Sequence, residues 1–325
     1  MKKKRDLAPG TITGYMNSAC NWLKAALGLK CHEINTKQGM IADLLLEASK
    51  WRRPKPKREP YTYAMFETLQ ARVSTLLETT VSALLQRDAA VFDWARLSIF
   101  TGSRSGEYAQ TVGTSTNPAR VPDAPAAGNW AKTPIAFIAS DFAFYTADGR
   151  RLRKRELLRN PQAAVEVHVH FRFDKSGRNF TICKFRRGQG LICPVEAAIS
   201  ILARAVALKV PAQDPIGVFF NPRSRKAKNQ VVLLQSSDVV KVMRSVCLET
   251  YPDPKHYYHI HHMSIDAHSA RVTAAVALSN AGVSKAEIAF RLRWKPESVD
   301  HYLRDCQRTI GSLTQAAILG SMNIT

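Results

Sequence analysis

Asp266-Ala267-His268-Ser269-Ala270-Arg271-Val272, then Arg291-Leu292-Arg293-Trp294, then His301-Tyr302-Leu303-Arg304: the rest of the chain is organised around this stretch. On a helix, residues three apart project from neighbouring positions of one face, so His268 and Arg271 can address one small target. The residue types make that target an anion. A guanidinium fork matches two phosphate oxygens, an imidazole moves a proton near neutral pH, and a tyrosine a few turns later is a nucleophile for phosphorus.

A second arginine lies upstream in Phe100-Thr101-Gly102-Ser103-Arg104-Ser105-Gly106-Glu107. Gly102 breaks a helix predicted over 82–99, and Ser103 is placed to cap a new turn that presents Arg104 and Glu107 on one side. Between the two arginine segments, Val165, Val167, Val169, Phe171 and Phe173 alternate with Glu166, His168, His170, Arg172 and Asp174. That period-two pattern is a half-buried strand, and residues 180–185 return as its partner. The turn joining them carries Lys175.

Arg, Lys, His-x-x-Arg, Trp and Tyr in this order resemble the tyrosine recombinases, the family of phage-type integrases and mobile-element recombinases. Each piece alone has an ordinary meaning: a surface ion pair, a polar hairpin lysine, a packing tryptophan. The ordered set carries the resemblance. It implies that Arg104 and Arg271 bind a scissile DNA phosphate, that Glu107 buttresses them, and that Tyr302 attacks phosphorus to leave a 3′-phosphotyrosyl bond. It further implies that Lys175 protonates the departing 5′ oxygen, with Lys184 and Arg178 as substitutes, that His268 exchanges the tyrosine proton, and that Trp294 donates its indole N–H. No metal ion, ATP or other cofactor is implied. Four copies of the chain on two double-stranded DNA sites are. Trp294 and Tyr302 stand eight residues apart, one fewer than in many phage integrases, a spacing similar to that of eukaryotic mobile-element relatives. One residue turns a helix by about 100°, so the connection between them has to compensate.

The bulk composition agrees with a nucleic-acid partner without naming it. Lys+Arg 47 against Asp+Glu 26 gives a formal net charge of +21, and such an excess favours a polyanion through counterion release. Ribosomal, membrane-surface and heparin-binding proteins share that property. With 325 residues and 45% hydrophobic content the chain has room for two domains and a sizeable core. The cysteines at 20, 31, 183, 193, 247 and 306 show no C-x-x-C spacing and read as reduced thiols of an intracellular protein. No apolar run suits a bilayer and no signal-peptide pattern opens the chain. Met1-Lys2-Lys3-Lys4-Arg5 is either a nuclear address or a first contact with DNA; the compartment expected is one that holds DNA, the nucleus in a eukaryote and otherwise the cytoplasm.

The fold class expected is mainly α with a small antiparallel β-sheet, α+β. Residues 1–51 hold two helices, one over 11–28 and one after Asn35, and form a partial helical DNA-binding region. Residues 52–60 are a linker kept extended by Pro54, Pro56 and Pro60, whose Arg52, Arg53, Lys55, Lys57 and Arg58 are suited to follow a phosphate backbone. The catalytic domain spans 61–325: a strand over 135–145, a helix opened by Pro194, a short strand at 217–220, polar loop histidines over 256–262, and a capping box at Ser284 and Glu287. An apolar stripe over 308–322 follows the tyrosine. Two rivals share most of these features: a type IB topoisomerase, and a mobile-element remnant that binds DNA without cutting it. A basic RNA-binding protein leaves the ordered motif set unexplained.

Overall fold

The computed structural model describes Tyr15 and residues 58–79, 86–109, 135–172, 181–221 and 230–304. The chain divides into two units, Met1–Pro56 and Lys57–Thr325, and every described residue except Tyr15 belongs to the second. The amino-terminal helices, Arg52, Arg53, Lys55, Lys57, the hairpin turn with Lys175 and Arg178, and the stripe over 308–322 lie outside the described residues.

The second unit is a mixed α+β fold, mostly helical, with a small antiparallel sheet. It opens with helices α1 (Tyr63–Thr79), α2 (Arg87–Thr101) and α3 (Ser105–Tyr108), strand β1 (Phe142–Tyr145), helix α4 (Lys154–Arg159) and strands β2 (Glu166–Phe171) and β3 (Thr181–Arg186). Helix α5 (Pro194–Ala207), strands β4 (Val218–Phe220) and β5 (Val231–Leu233), and helices α6 (Ser236–Thr250), α7 (Tyr257–Ile260), α8 (Ser269–Asn280), α9 (Lys285–Arg291) and α10 (Pro296–Arg304) complete it.

Helix α2 begins at Arg87, later than the expected Ser82, with Gln86 as an extended N-cap. Its apolar residues fall on every side, Ala89, Val91, Phe92, Trp94, Leu97 and Ile99 among them, and a helix without a polar face belongs in the interior. Accordingly α2 packs against α1, α5, α6 and α8. Burying it also buries Asp93 and Arg96, which must then be paired. Arg96 Nη2 donates to Asp93 Oδ1 at 2.6 Å, and Arg204 of α5 reaches the other carboxylate oxygen. Arg96 also donates to Leu191 O at 3.2 Å and lies 4.2 Å from the centre of the Phe92 ring.

The sheet runs β1-β2-β3, with Val169 opposite Phe142 on one side and Cys183 on the other. Val167, Val169 and Phe171 face inward as the alternation predicts, joined by Phe142, Phe144 and Phe185. Two expectations fail here. The strand expected over 135–145 shrinks to Phe142–Tyr145, because the Asp141 carboxylate accepts from Ile138 N at 2.8 Å and draws residues 139–141 into a 3-10 turn. Arg172, expected on the polar face, is buried. The strand ends at Phe171, so alternation no longer applies, and Arg172 donates to Asp141 Oδ1 at 2.7 Å and Ala136 O at 2.9 Å. Of the histidines expected in a loop, His259 lies in α7 and His262 in a 3-10 turn at His262–Ser264, while His256 and His261 cap α7; local contacts hold them, with His256 stacked on Tyr251 at 4.3 Å and His259 Nδ1 2.7 Å from Tyr251 O.

Helices α8, α9 and α10 close over a smaller core of Ala274, Ala275, Ile288, Ala289, Leu292, Trp294, Val299 and Leu303. The capping box at the start of α9 forms as expected, with Glu287 Oε2 accepting from Ser284 N at 3.0 Å. Asp93→Ala leaves two buried guanidiniums without their carboxylate, and a loss of about 3–5 kcal/mol is expected, read as a lowered urea midpoint. Glu156→Ala, which breaks the exposed pair with Arg150, should leave that midpoint almost where it was.

Candidate functional site

The site begins at the corner between α2 and α3. Gly102 ends α2 in the left-handed region, φ 56° and ψ 28°, with its N–H donating to Ser98 O at 2.8 Å. A side chain here is excluded twice over, since a Cβ would lie 2.9 Å from Leu292 Cδ2. The connection between α9 and α10 is therefore pressed directly onto the corner. Ser103 does not cap the next turn as expected: its Oγ pairs with Thr101 Oγ1 at 2.6 Å. Arg104 takes the N-cap position itself. Glu107 accepts from Arg104 N at 2.9 Å and from Arg104 Nη1 at 3.3 Å, so one carboxylate fixes both the backbone and the side chain of that arginine.

Helix α8 starts at Ser269, not at Ala267 as the apolar spacing of Val272, Ala275, Val276 and Leu278 predicts, which leaves His268 at its N-cap with φ −92° and ψ −8°. The cause is local. Asp266 Oδ1 accepts from His268 N at 2.7 Å and Ser269 Oγ accepts from Asp266 N at 2.9 Å, bonds that compete with a helical backbone. His268 O still accepts from Arg271 N at 2.9 Å, so the three-residue relation survives. Asp266 Oδ2 in turn takes Arg58 Nε at 2.8 Å, which brings the last basic residue of the linker against this motif. Both side chains are partly exposed, and the pair contributes at most about 1 kcal/mol. His268 is half-buried, and its imidazole is held below the usual histidine range by desolvation and then by Arg58, with Arg271 and Arg104 adding to the effect and Asp266 opposing it.

Arg271 is buried and anchors the centre. Its Nη1 donates to Gly102 O at 2.6 Å, and its guanidinium carbon lies 4.3 Å from the centre of the Trp294 ring and 5.9 Å from that of Tyr302. Burial pulls the Arg271 pKa down, while its electrostatic interaction with neighbouring Tyr302 pulls the other way. Tyr302 packs on Val272 and Val276 and tilts at 31° against Trp294, ring centres 4.5 Å apart. The eight-residue separation thus brings both rings to one guanidinium. Trp294 is 3% exposed, and its Nε1 has no hydrogen-bond partner among the described residues. An unmatched buried donor costs about 1–3 kcal/mol.

Arg293 was not singled out in the sequence, where it is one more basic residue in a basic run. It is buried, and its φ of 59° is a left-handed conformation that costs a residue with a side chain roughly 1–2 kcal/mol. Its Nη2 donates to Glu107 Oε2 at 3.3 Å and Thr101 O at 3.5 Å, and its guanidinium carbon lies 3.2 Å from the centre of the Phe171 ring. The cue available was its place directly before the motif tryptophan. Arg291 anchors the neighbouring strand, donating to Lys184 O at 2.7 Å over the Phe185 ring; the Lys184 side chain itself is exposed.

Arg104, Glu107, His268, Arg271, Trp294 and Tyr302 are thus gathered around one corner, with Arg58 at its edge; Lys175 is outside the described residues. The arrangement offers several fixed cations and one unmatched N–H to a small anion beside a tyrosine hydroxyl.

Two outcomes follow. Gly102→Ala should lower the urea midpoint, because it strains the backbone and forces Leu292 away from the corner. His268 has a folded-state pKa below its unfolded value, so its contribution to stability is intact above about pH 6.5 and is lost as pH falls from there through the lower folded-state pKa. Wild type should therefore lose stability more steeply than His268→Gln when denaturant midpoints are followed downward from neutral pH. No protein-family model matches the chain, and no curated protein matches it.

Proposed function

We propose that the chain cuts and rejoins DNA strands through a covalent 3′-phosphotyrosyl bond at Tyr302, as a tyrosine recombinase does. The observation that carries this is Tyr302 set beside buried Arg271, whose guanidinium carbon lies 5.9 Å from the centre of its ring, next to an indole N–H that lacks an acceptor among the described residues. A backbone phosphate fits that set. Its non-bridging oxygens would be taken by Arg104, Arg271 and Trp294 Nε1, and charge that builds up on them in the five-coordinate transition state meets donors already in place.

Tyr302 Oη forms the new bond to phosphorus while the bond to the 5′ oxygen breaks. The phenolic proton passes to His268, whose neutral form is favoured by its surroundings, and the 5′ oxygen takes a proton from Lys175. Rejoining reverses the sequence with another 5′ hydroxyl, and the energy of the broken ester is kept in the phosphotyrosyl bond. Double-stranded DNA is the partner, attracted by the net charge of +21, and four copies acting on two duplexes is the assembly proposed. The compartment is one that contains DNA.

The test is a pool of nicked duplexes with a randomised centre, in which cleavage releases a short strand and traps the covalent adduct. Wild type should yield an adduct whose nucleotide maps by mass spectrometry to Tyr302, and Tyr302→Phe should yield none. Arg104→Ala and Arg271→Ala should each slow adduct formation by about 10²–10³-fold, the loss typical of a donor to a developing oxyanion. Duplex binding without adduct in wild type, or an adduct on another residue, would overturn the assignment. Relaxation of any supercoiled plasmid with no joining of two duplexes would replace it with topoisomerase activity.

A further inference from the structure

Arg293 closes helix α9. Its N–H donates to Phe290 O at 3.2 Å and the N–H of Trp294 reaches back to Ala289 O at 2.7 Å, the paired closure that usually puts glycine at the left-handed position. An arginine there carries strain that glycine would not, and the backbone closure itself needs no side chain. The reason for it lies in where the side chain goes. At this turn the chain diverges: Trp294 enters the core shared by α8, α9 and α10, while the Arg293 guanidinium runs to the corner of α2 and α3 and over Phe171 at the end of β2.

There it meets Glu107, the carboxylate that also holds Arg104. Glu107 Oε2 accepts from Arg293 and from the Arg104 backbone, which leaves Oε1 for the Arg104 guanidinium. With Oε2 fixed, the carboxylate cannot rotate, and the direction of Arg104 is set. We infer that Arg293 is a positioning residue: through Glu107 it aims Arg104, and through its own backbone turn it ties that aim to the placement of Trp294. The inference rests on the strand-transfer reading for its consequence in catalysis, but the linkage from Arg293 to Arg104 stands on the geometry alone.

Arg293→Gly relieves the left-handed strain but removes a buried partner of Glu107, so the full chain should fold with a lowered urea midpoint, and rates are compared where every variant is folded. Arg293→Asn, which also tolerates the left-handed region, serves if the glycine variant does not fold. Adduct formation at saturating nicked duplex should fall about 100-fold, as expected when a catalytic group is displaced by about an ångström, with duplex affinity unchanged. Arg293→Lys, which keeps the charge but loses the fork, should recover only part of the rate. The decisive arm is the double variant. In an Arg104→Ala background, Arg293→Gly should cause no further slowing, whereas a residue that merely supports the fold would slow both backgrounds alike. An unchanged rate in Arg293→Gly, or equal slowing in both backgrounds, would overturn the inference. The same cycle measured as orthovanadate affinity by calorimetry separates the two levels. If wild type forms no adduct but vanadate binding weakens in Arg293→Gly and not further in Arg104→Ala, the strand-transfer reading fails and the positioning role survives. Absence of vanadate binding, or vanadate binding indifferent to Arg293, overturns the positioning role.

Discussion

A guanidinium that cannot lose its proton at any ordinary pH has been taken out of water at Arg271, and the surrounding structure answers that need. Among the described residues no carboxylate forms an ion pair with it. Instead it is held by the Gly102 carbonyl and lies against the rings of Trp294 and Tyr302. Each of those partners fixes a different part of the chain. The carbonyl is available because α2 stops in a left-handed turn, the indole because α9 ends three residues earlier, and the tyrosine because Pro296 starts a new helix at the right place. The corner, the turn and the last described helix are thus three solutions to one solvation problem.

Carboxylates are used sparingly but decisively around this centre. Among the described residues Glu59, Asp93, Glu107 and Asp141 are buried; Glu59 accepts from the Tyr257 hydroxyl at 2.6 Å, and the other three are matched to buried or half-buried arginine: Asp93 to Arg96 and Arg204, Glu107 to Arg104 and Arg293, Asp141 to Arg172. For Asp141 desolvation outweighs its partner and leaves the carboxyl above its ordinary range. These pairs use only a few of the 47 basic and 26 acidic residues. The basic balance in the composition is therefore expressed mainly at the surface, where a polyanion would meet it.

The features legible in the sequence were those with short-range causes. Alternation along β2, the proline opening of α5, the glycine stop at 102 and the capping box at Ser284 each depend on residues within a few positions. Even there a short-range competitor could mislead: Thr101 takes the Ser103 hydroxyl, and Asp266 delays the start of α8. Arg172 and Arg293 were illegible for a different reason. Their carboxylates stand 31 and 186 positions away, so no local pattern distinguishes them from exposed basic residues. The motif residues that cluster at the site could be listed from their order along the chain, but the residue joining Glu107 to the Trp294 turn required the folded arrangement.

The trio Asp93, Arg96 and Arg204 has an evolutionary corollary. Losing the acid strands two cations, and losing either cation unbalances what remains, so no single replacement leads smoothly to an apolar interior at that helix crossing. Lineages descended from a common ancestor should keep all three side chains or exchange them in concert, and a sequence in which only one has drifted should carry a compensating change at one of the other two positions.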